Sequence, residues 1–132
     1  MRKSRTVLIP VAVLLLATGL TAVAAAPRAE AAPRSATATL TQSGCELTLA
    51  YTWNNFNNAN GFVTAIQQVD VGAVTSRGML GTGSSGSETL TYSVPAGTTS
   101  TFQAQAWLYK NNAGTPINDS KVTTPTQTVS CP

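Results

Sequence analysis

From Cys45 to Trp53 the chain alternates without a break: Cys45, Leu47, Leu49, Tyr51 and Trp53 share one parity, and Glu46, Thr48, Ala50 and Thr52 the other. Successive side chains of an extended backbone point to opposite faces, so a period of two with one apolar side is the mark of a half-buried β-strand. The pattern returns between Glu88 and Val94, where Leu90, Tyr92 and Val94 oppose Thr89, Thr91 and Ser93. It returns again between Thr101 and Lys110, where Phe102, Ala104, Ala106 and Leu108 share a face. Ala36, Ala38 and Leu40 predict a short first strand. The Thr/Val-rich stretch from Val122 to Ser130 predicts the last. Pro125 interrupts it and has no N–H to donate, so that strand belongs at an edge. Gly61 to Val71 is strand-like with apolar residues on both sides, which leaves its inward face unassigned, and Ala73 to Leu80 is a weaker strand candidate. The run from Gly81 to Gly86 reads as a flexible connector. No helical period of useful length and no internal repeat occurs. About seven short strands, spaced by turn signals, predict an all-β antiparallel sandwich.

The first part of the chain is a separate matter. Arg2, Lys3 and Arg5 precede an uncharged apolar stretch from Val7 to about Ala26, and Ala29-Glu30-Ala31 fits a small-residue cleavage pattern. We therefore expect a secretory leader over 1–31 and a single domain over 32–132, secreted and extracellular, with no membrane attachment after cleavage. The alternative is an uncleaved membrane anchor, because Val7 to Ala26 is just long enough to span a bilayer. Its Ala/Gly/Thr-rich second half argues against that. Beyond the expected cleavage point Arg34, Arg77, Lys110 and Lys121 stand against Glu46, Asp70, Glu88 and Asp119, so the exported part is near neutral. No basic stripe is left for a nucleic acid or an anionic membrane.

Cys45 and Cys131 are the only cysteines, and both lie in the exported part. An even pair in an oxidising compartment predicts one disulfide. The strand count agrees with it. If seven consecutive strands run antiparallel between two poles, the second begins at the pole where the seventh ends. Cys45 begins the second and Cys131 ends the seventh. An even number of passes would hold them apart by the height of the domain, too far for a bond.

"LTLAYTW", "NGFVTAIQQV", "TLTYSVPAGTTSTFQAQAW", "NNAG" and "KVTTPT" together resemble a fibronectin type III-like domain of the immunoglobulin-like class. In that family a Trp ends the second strand, matching Trp53. A Pro-x-Gly-Thr-like turn leads to an aromatic residue opening the sixth, matching Pro95, Gly97, Thr98 and Phe102. The resemblance covers most of Leu47 to Thr126. It implies an interaction or spacer module and no chemistry. "GCELTLAYTWNNFNNANGFVTAI" also resembles the opening of family 2 carbohydrate-binding modules, which are stapled near both ends and bind polysaccharide through exposed Trp side chains. Trp53 and Trp107 are the only tryptophans here, and Trp53 lies on the apolar face of its strand.

The chain contains no His, which excludes His-dependent nucleophilic and acid–base catalysis and imidazole metal sites. Cysteines tied in a disulfide supply neither a thiolate nucleophile nor a zinc ligand. The four exported carboxylates are scattered, and no glycine motif cradles a phosphate. Asp119 beside Asn118 and Ser120 is a faint calcium hint, short of the converging carboxylates such a site wants. The expectation is a protein that is not an enzyme and carries no metal or cofactor.

What is left is surface. On the sixth strand Gln103, Gln105, Trp107 and Tyr109 point away from the apolar set, which predicts two outward aromatics among amides. Parity also brings the loops 54–60 and 110–120 to the pole opposite the disulfide, beside Trp107 and Tyr109. Asn-rich loops need no function, since Asn tolerates left-handed backbone and bonds locally. Phe56, in mid-loop, either caps the core or faces a partner. The candidate ligand-binding set is thus Trp107, Tyr109, Gln103, Gln105, Phe56, Asn55 and Asn57. The expected role is recognition of an extracellular protein or polysaccharide. The alternatives are an inhibitor of an extracellular hydrolase, presenting Pro116 and Ile117 on the 110–120 loop, and a structural domain with no specific ligand.

Overall fold

The computed structural model describes residues 33–132; the leader expected over 1–31 lies outside them. The described residues are all-β: β1 (Ser35–Ser43), β2 (Glu46–Asn54), β3 (Gly61–Gln68), β4 (Gly72–Leu80), β5 (Gly86–Ser93), β6 (Thr98–Tyr109), β7 (Val122–Thr123) and β8 (Gln127–Cys131). Every pairing is antiparallel. One sheet has the order β1-β2-β5. The other runs β4-β3-β6, with β7 and β8 both paired to β6.

The alternation read between Cys45 and Trp53 is the inward face of β2, with Leu47, Leu49, Tyr51 and Trp53 all buried. On β6, Phe102, Ala104, Ala106 and Leu108 are fully buried in the same way. The first strand is longer than Ala36–Leu40, because it pairs with β2 along its entire length, from Ser35 on Asn54 to Ser43 on Glu46. On β3 the inward side is Phe62, Thr64 and Ile66, all buried. Thr64 is tolerated there because its hydroxyl bonds the Arg77 carbonyl at 3.4 Å. Gly72–Leu80 is a full strand at the edge of the larger sheet.

The last strand is broken where Pro125 stands. β7 stops at Thr123 and β8 starts at Gln127. Thr124 covers the gap: its N–H donates to the Ala104 carbonyl at 2.9 Å and its Oγ1 accepts the Ala104 N–H at 3.0 Å. A side chain thus supplies an acceptor that a continuous ladder would have supplied from the backbone.

The core divides along the long axis. Near the disulfide it is mainly aliphatic, built from Leu47, Leu49, Ile66, Leu90, Val94 and Val129 around Phe102. Toward the opposite pole it is aromatic, built from Tyr51, Trp53, Phe56 and Phe62 with Ala106 and Leu108. Tyr51 and Trp53 stack at 5.4 Å between ring centroids, and Trp53 and Phe62 at 6.0 Å. Cys45 and Cys131 are bonded, with Cα atoms 5.5 Å apart. Val94 and Gly97, in the β5–β6 turn, donate to the carbonyls of Cys45 and Cys131, so three chain segments meet at this pole.

Candidate functional site

The loops 54–60 and 110–120 do meet at the pole away from the disulfide. Asn60 joins them: its N–H donates to the Tyr109 carbonyl at 2.8 Å and its Nδ2 to the Lys110 carbonyl at 2.7 Å. Its own carbonyl accepts from the N–H of Gly81 at 2.6 Å. The 81–86 segment, expected to be a flexible connector, is instead tied down at this pole. Ser84 O accepts from Phe56 N–H at 2.8 Å, Gly83 O from Trp53 Nε1 at 3.1 Å, and Ser85 Oγ from Asn55 N–H at 3.1 Å.

The 110–120 loop is anchored from within. Tyr51 donates its hydroxyl to the Ser120 carbonyl at 2.6 Å. Ser120 is itself fully buried; its Oγ accepts Leu108 N–H at 3.1 Å and donates to Ile117 O at 2.6 Å. Ile117 N–H returns to Leu108 O at 2.9 Å, and Pro116 bridges to Tyr109. Pro116 and Ile117 are consequently half-buried on β6.

Two of the seven candidate residues are corrected by burial. Phe56 is fully buried and joins the aromatic end of the core, with the Arg34 guanidinium 5.3 Å from its ring centroid. It closes the pole rather than facing a partner. Tyr109 points to the outer side of its strand, as alternation requires, yet only 8% of it is exposed. Its cross-strand partner is Gly61, and the Tyr109 ring fills the space that a Cβ would occupy there. Sequence parity gives the direction of a side chain but not whether a neighbour leaves room for it to lie flat.

The remaining candidates stay at the surface, with different freedoms. Asn57 is exposed. Asn55 is exposed but engaged: it adopts φ 65°, and its Nδ2 donates to Pro33 O at 3.1 Å. Gln103 is half-buried and donates to Thr124 O at 3.0 Å, which ties it to the strand break. Gln105 is half-buried between Ala65 and Thr123 on the adjoining strands. Trp107 is half-buried and lies beside Val63 of β3. Its Nε1 donates to Ala113 O at 2.8 Å, which locks the indole against the 110–120 loop.

Lys121 is the neighbour that sequence reasoning missed. Its Nζ sits 5.4 Å from the centroid of the Trp107 ring. The contact follows from register: β7 pairs Val122 with Ala106 and Thr123 with Gln105, so one step further brings Lys121 to Trp107. Nothing in the sequence specifies that register.

Trp107, Gln105, Gln103, Val63, Ala65, Gly78 and Ser76 thus share the outer face of the larger sheet. Its floor is made of small residues, and no pocket opens among the described residues. No group of three His, Cys, Asp or Glu side chains gathers among them either. Such a surface can stack a flat apolar ring and donate or accept hydrogen bonds through amides. No protein-family model, no curated protein and no solved structure matches this chain.

Proposed function

We propose that the exported domain is a small, secreted, non-enzymatic recognition module that binds an extracellular glycan or protein through the outer face of β3, β6 and β7 and the adjoining loop pole. The carrying observation is Trp107: it is an aromatic side chain on the outer face of the sheet that keeps solvent exposure, and it is held in one orientation by Ala113. A rigid aromatic among amides loses little side-chain entropy on binding, which is why Trp is a favoured anchor. The fibronectin type III-like, immunoglobulin-like reading of the fold is supported by the strand order. In that class the first, second and fifth strands share one sheet and the third, sixth and seventh the other. The fourth strand here joins the second sheet. The inhibitor reading loses support, because Pro116 and Ile117 pack back onto β6 instead of standing free.

The test is binding of the purified domain to a panel of insoluble and soluble polysaccharides and of purified cell-surface proteins, before and after Trp107→Ala. The expected result is loss of binding in the variant, with a cooperative unfolding transition retained. Binding that persists at full strength in the folded variant overturns the proposal.

A further inference from the structure

The near-zero net charge of the exported part conceals a separation. Among the described residues two ion pairs form: Arg77 with Glu88 at 3.1 Å and Arg34 with Asp119 at 3.6 Å. Each cancels locally. The four charges that remain are sorted by pole. Glu46 opens β2 directly after Cys45, and Asp70 lies in the β3–β4 turn, next to Val69, whose N–H bonds Thr101 O near the start of β6. Both acids are at the disulfide end. Lys110 follows the end of β6, and Lys121 precedes β7, so both cations are at the loop end. Both lysines are exposed.

The proposed binding face carries this sign. Its paired positions on β3, β4 and β6 hold Gly, Ala, Ser, Val, Leu, Gln, Trp and Tyr, and the charged group reaching onto it is Lys121. The ammonium already lies over the Trp107 ring. A neutral sugar stacking on that side of the indole would have to displace it and give up a cation–π contact. A sugar bearing a carboxylate would displace it too, but would give the same ammonium a carboxylate partner in exchange. Among the described residues this pole holds two cations outside an ion pair, Lys110 and Lys121, with the Asp119 carboxylate between them in sequence already met by Arg34. So few positive charges suit a ligand of sparse charge, of the order of one per sugar, better than a densely sulfated chain.

Resting on the recognition reading above, we propose that the ligand is an acidic polysaccharide built from uronic acids, with Lys121 and Lys110 meeting its carboxylates and Trp107 its ring face. The attraction between exposed groups is screened by salt, so affinity should fall as ionic strength rises past the point where the Debye length is about 10 Å.

The experiment is affinity electrophoresis and calorimetric titration of the disulfide-intact domain with polygalacturonate, dextran sulfate and a neutral xylan, at low and high salt. The expected result is retention by polygalacturonate, weakened by salt, and weakened about five- to tenfold in K110Q/K121Q, as two exposed ion pairs imply. Unfolding of that variant should match the parent, and E46Q/D70N, at the opposite pole, should bind unchanged. Retention by dextran sulfate alone overturns the uronate assignment. Failure to bind any acidic glycan overturns the inference. Trp107-dependent binding to xylan or to a protein, indifferent to K110Q/K121Q, also overturns it while leaving the broader recognition reading standing.

Discussion

The Tyr51 hydroxyl reaches across the aromatic half of the core to the main-chain carbonyl of Ser120, 69 positions away in sequence, at 2.6 Å. This one bond joins the middle of β2 to the loop that holds Trp107. Both ends of it are buried, and Ser120 spends its side chain on Leu108 and Ile117, so its carbonyl depends on Tyr51. Tyr51→Phe keeps the ring and its stack on Trp53 but leaves that carbonyl unsatisfied. The expected cost is about 1–3 kcal/mol, the range for orphaning a buried polar group. Denaturant unfolding followed by Trp fluorescence measures it; a variant as stable as the parent would mean that the carbonyl has another partner.

The same phenol makes stability depend on alkaline pH. Burial disfavours the charged phenolate and pushes the Tyr51 pKa far above its usual value. In the unfolded chain the group ionises near its ordinary value of about 10. Below that pH both states hold the proton, and the contribution is fully present. Above it the unfolded state loses the proton first, so stability falls by about 1.4 kcal/mol per pH unit until the folded phenol also ionises. Unfolding free energies measured from neutral to alkaline pH should show this decline in the parent and a shallower one in Tyr51→Phe.

Gly61 and Tyr109 are locked together by shape. A Cβ at Gly61 would collide with the Tyr109 ring and lie 2.8 Å from the Met79 carbonyl. The ring is the flexible partner, but the carbonyl belongs to the β3–β4 ladder and cannot yield cheaply. Gly61→Ala should destabilise the domain by about 1–3 kcal/mol, as overpacking does. It should also lift Tyr109 outward, which proton spectra of the aromatic side chains will report.

What could be read beforehand, and what could not, follows from which interactions are local. The burial of Leu47, Leu49, Tyr51 and Trp53 was legible because strand parity is a property of the backbone itself. The meeting of Asn60 with Lys110 was legible because chain direction reverses at every antiparallel strand. The burial of Tyr109 was not, since it depends on the side chain missing from Gly61 on another strand. Lys121 over Trp107 depends on the β6–β7 register, and Phe56 on a connector whose Gly and Ser residues signal flexibility but whose carbonyls bind Phe56 and Trp53.

Thr124 offers a test of the strand break. Thr124→Val preserves the shape and removes the hydroxyl that accepts the buried Ala104 N–H at 3.0 Å. The hydrogen bond from Thr124 N–H to the Ala104 carbonyl and the one from the Gln103 side-chain amide to the Thr124 carbonyl would remain. The loss should be about 1–3 kcal/mol, with hydrogen exchange accelerated at Ala104 and little changed at Leu108.

The staple sets the largest single effect. Cys45 and Cys131 lie 86 positions apart and enclose nearly all of the described chain. In the chain-entropy account, closing a loop of that length restricts the unfolded state by about 4–5 kcal/mol. Cys131 belongs to the aliphatic cluster and Cys45 packs against it, while the aromatic cluster contains neither, so the reduced domain should keep its antiparallel sheets under mild conditions while its denaturation midpoint drops sharply. Paired denaturant curves with and without reductant test this. Cys45→Ser/Cys131→Ser should reproduce the reduced curve, and a midpoint unmoved by reduction would show that the unfolded chain is already compact enough for the link to cost it little entropy.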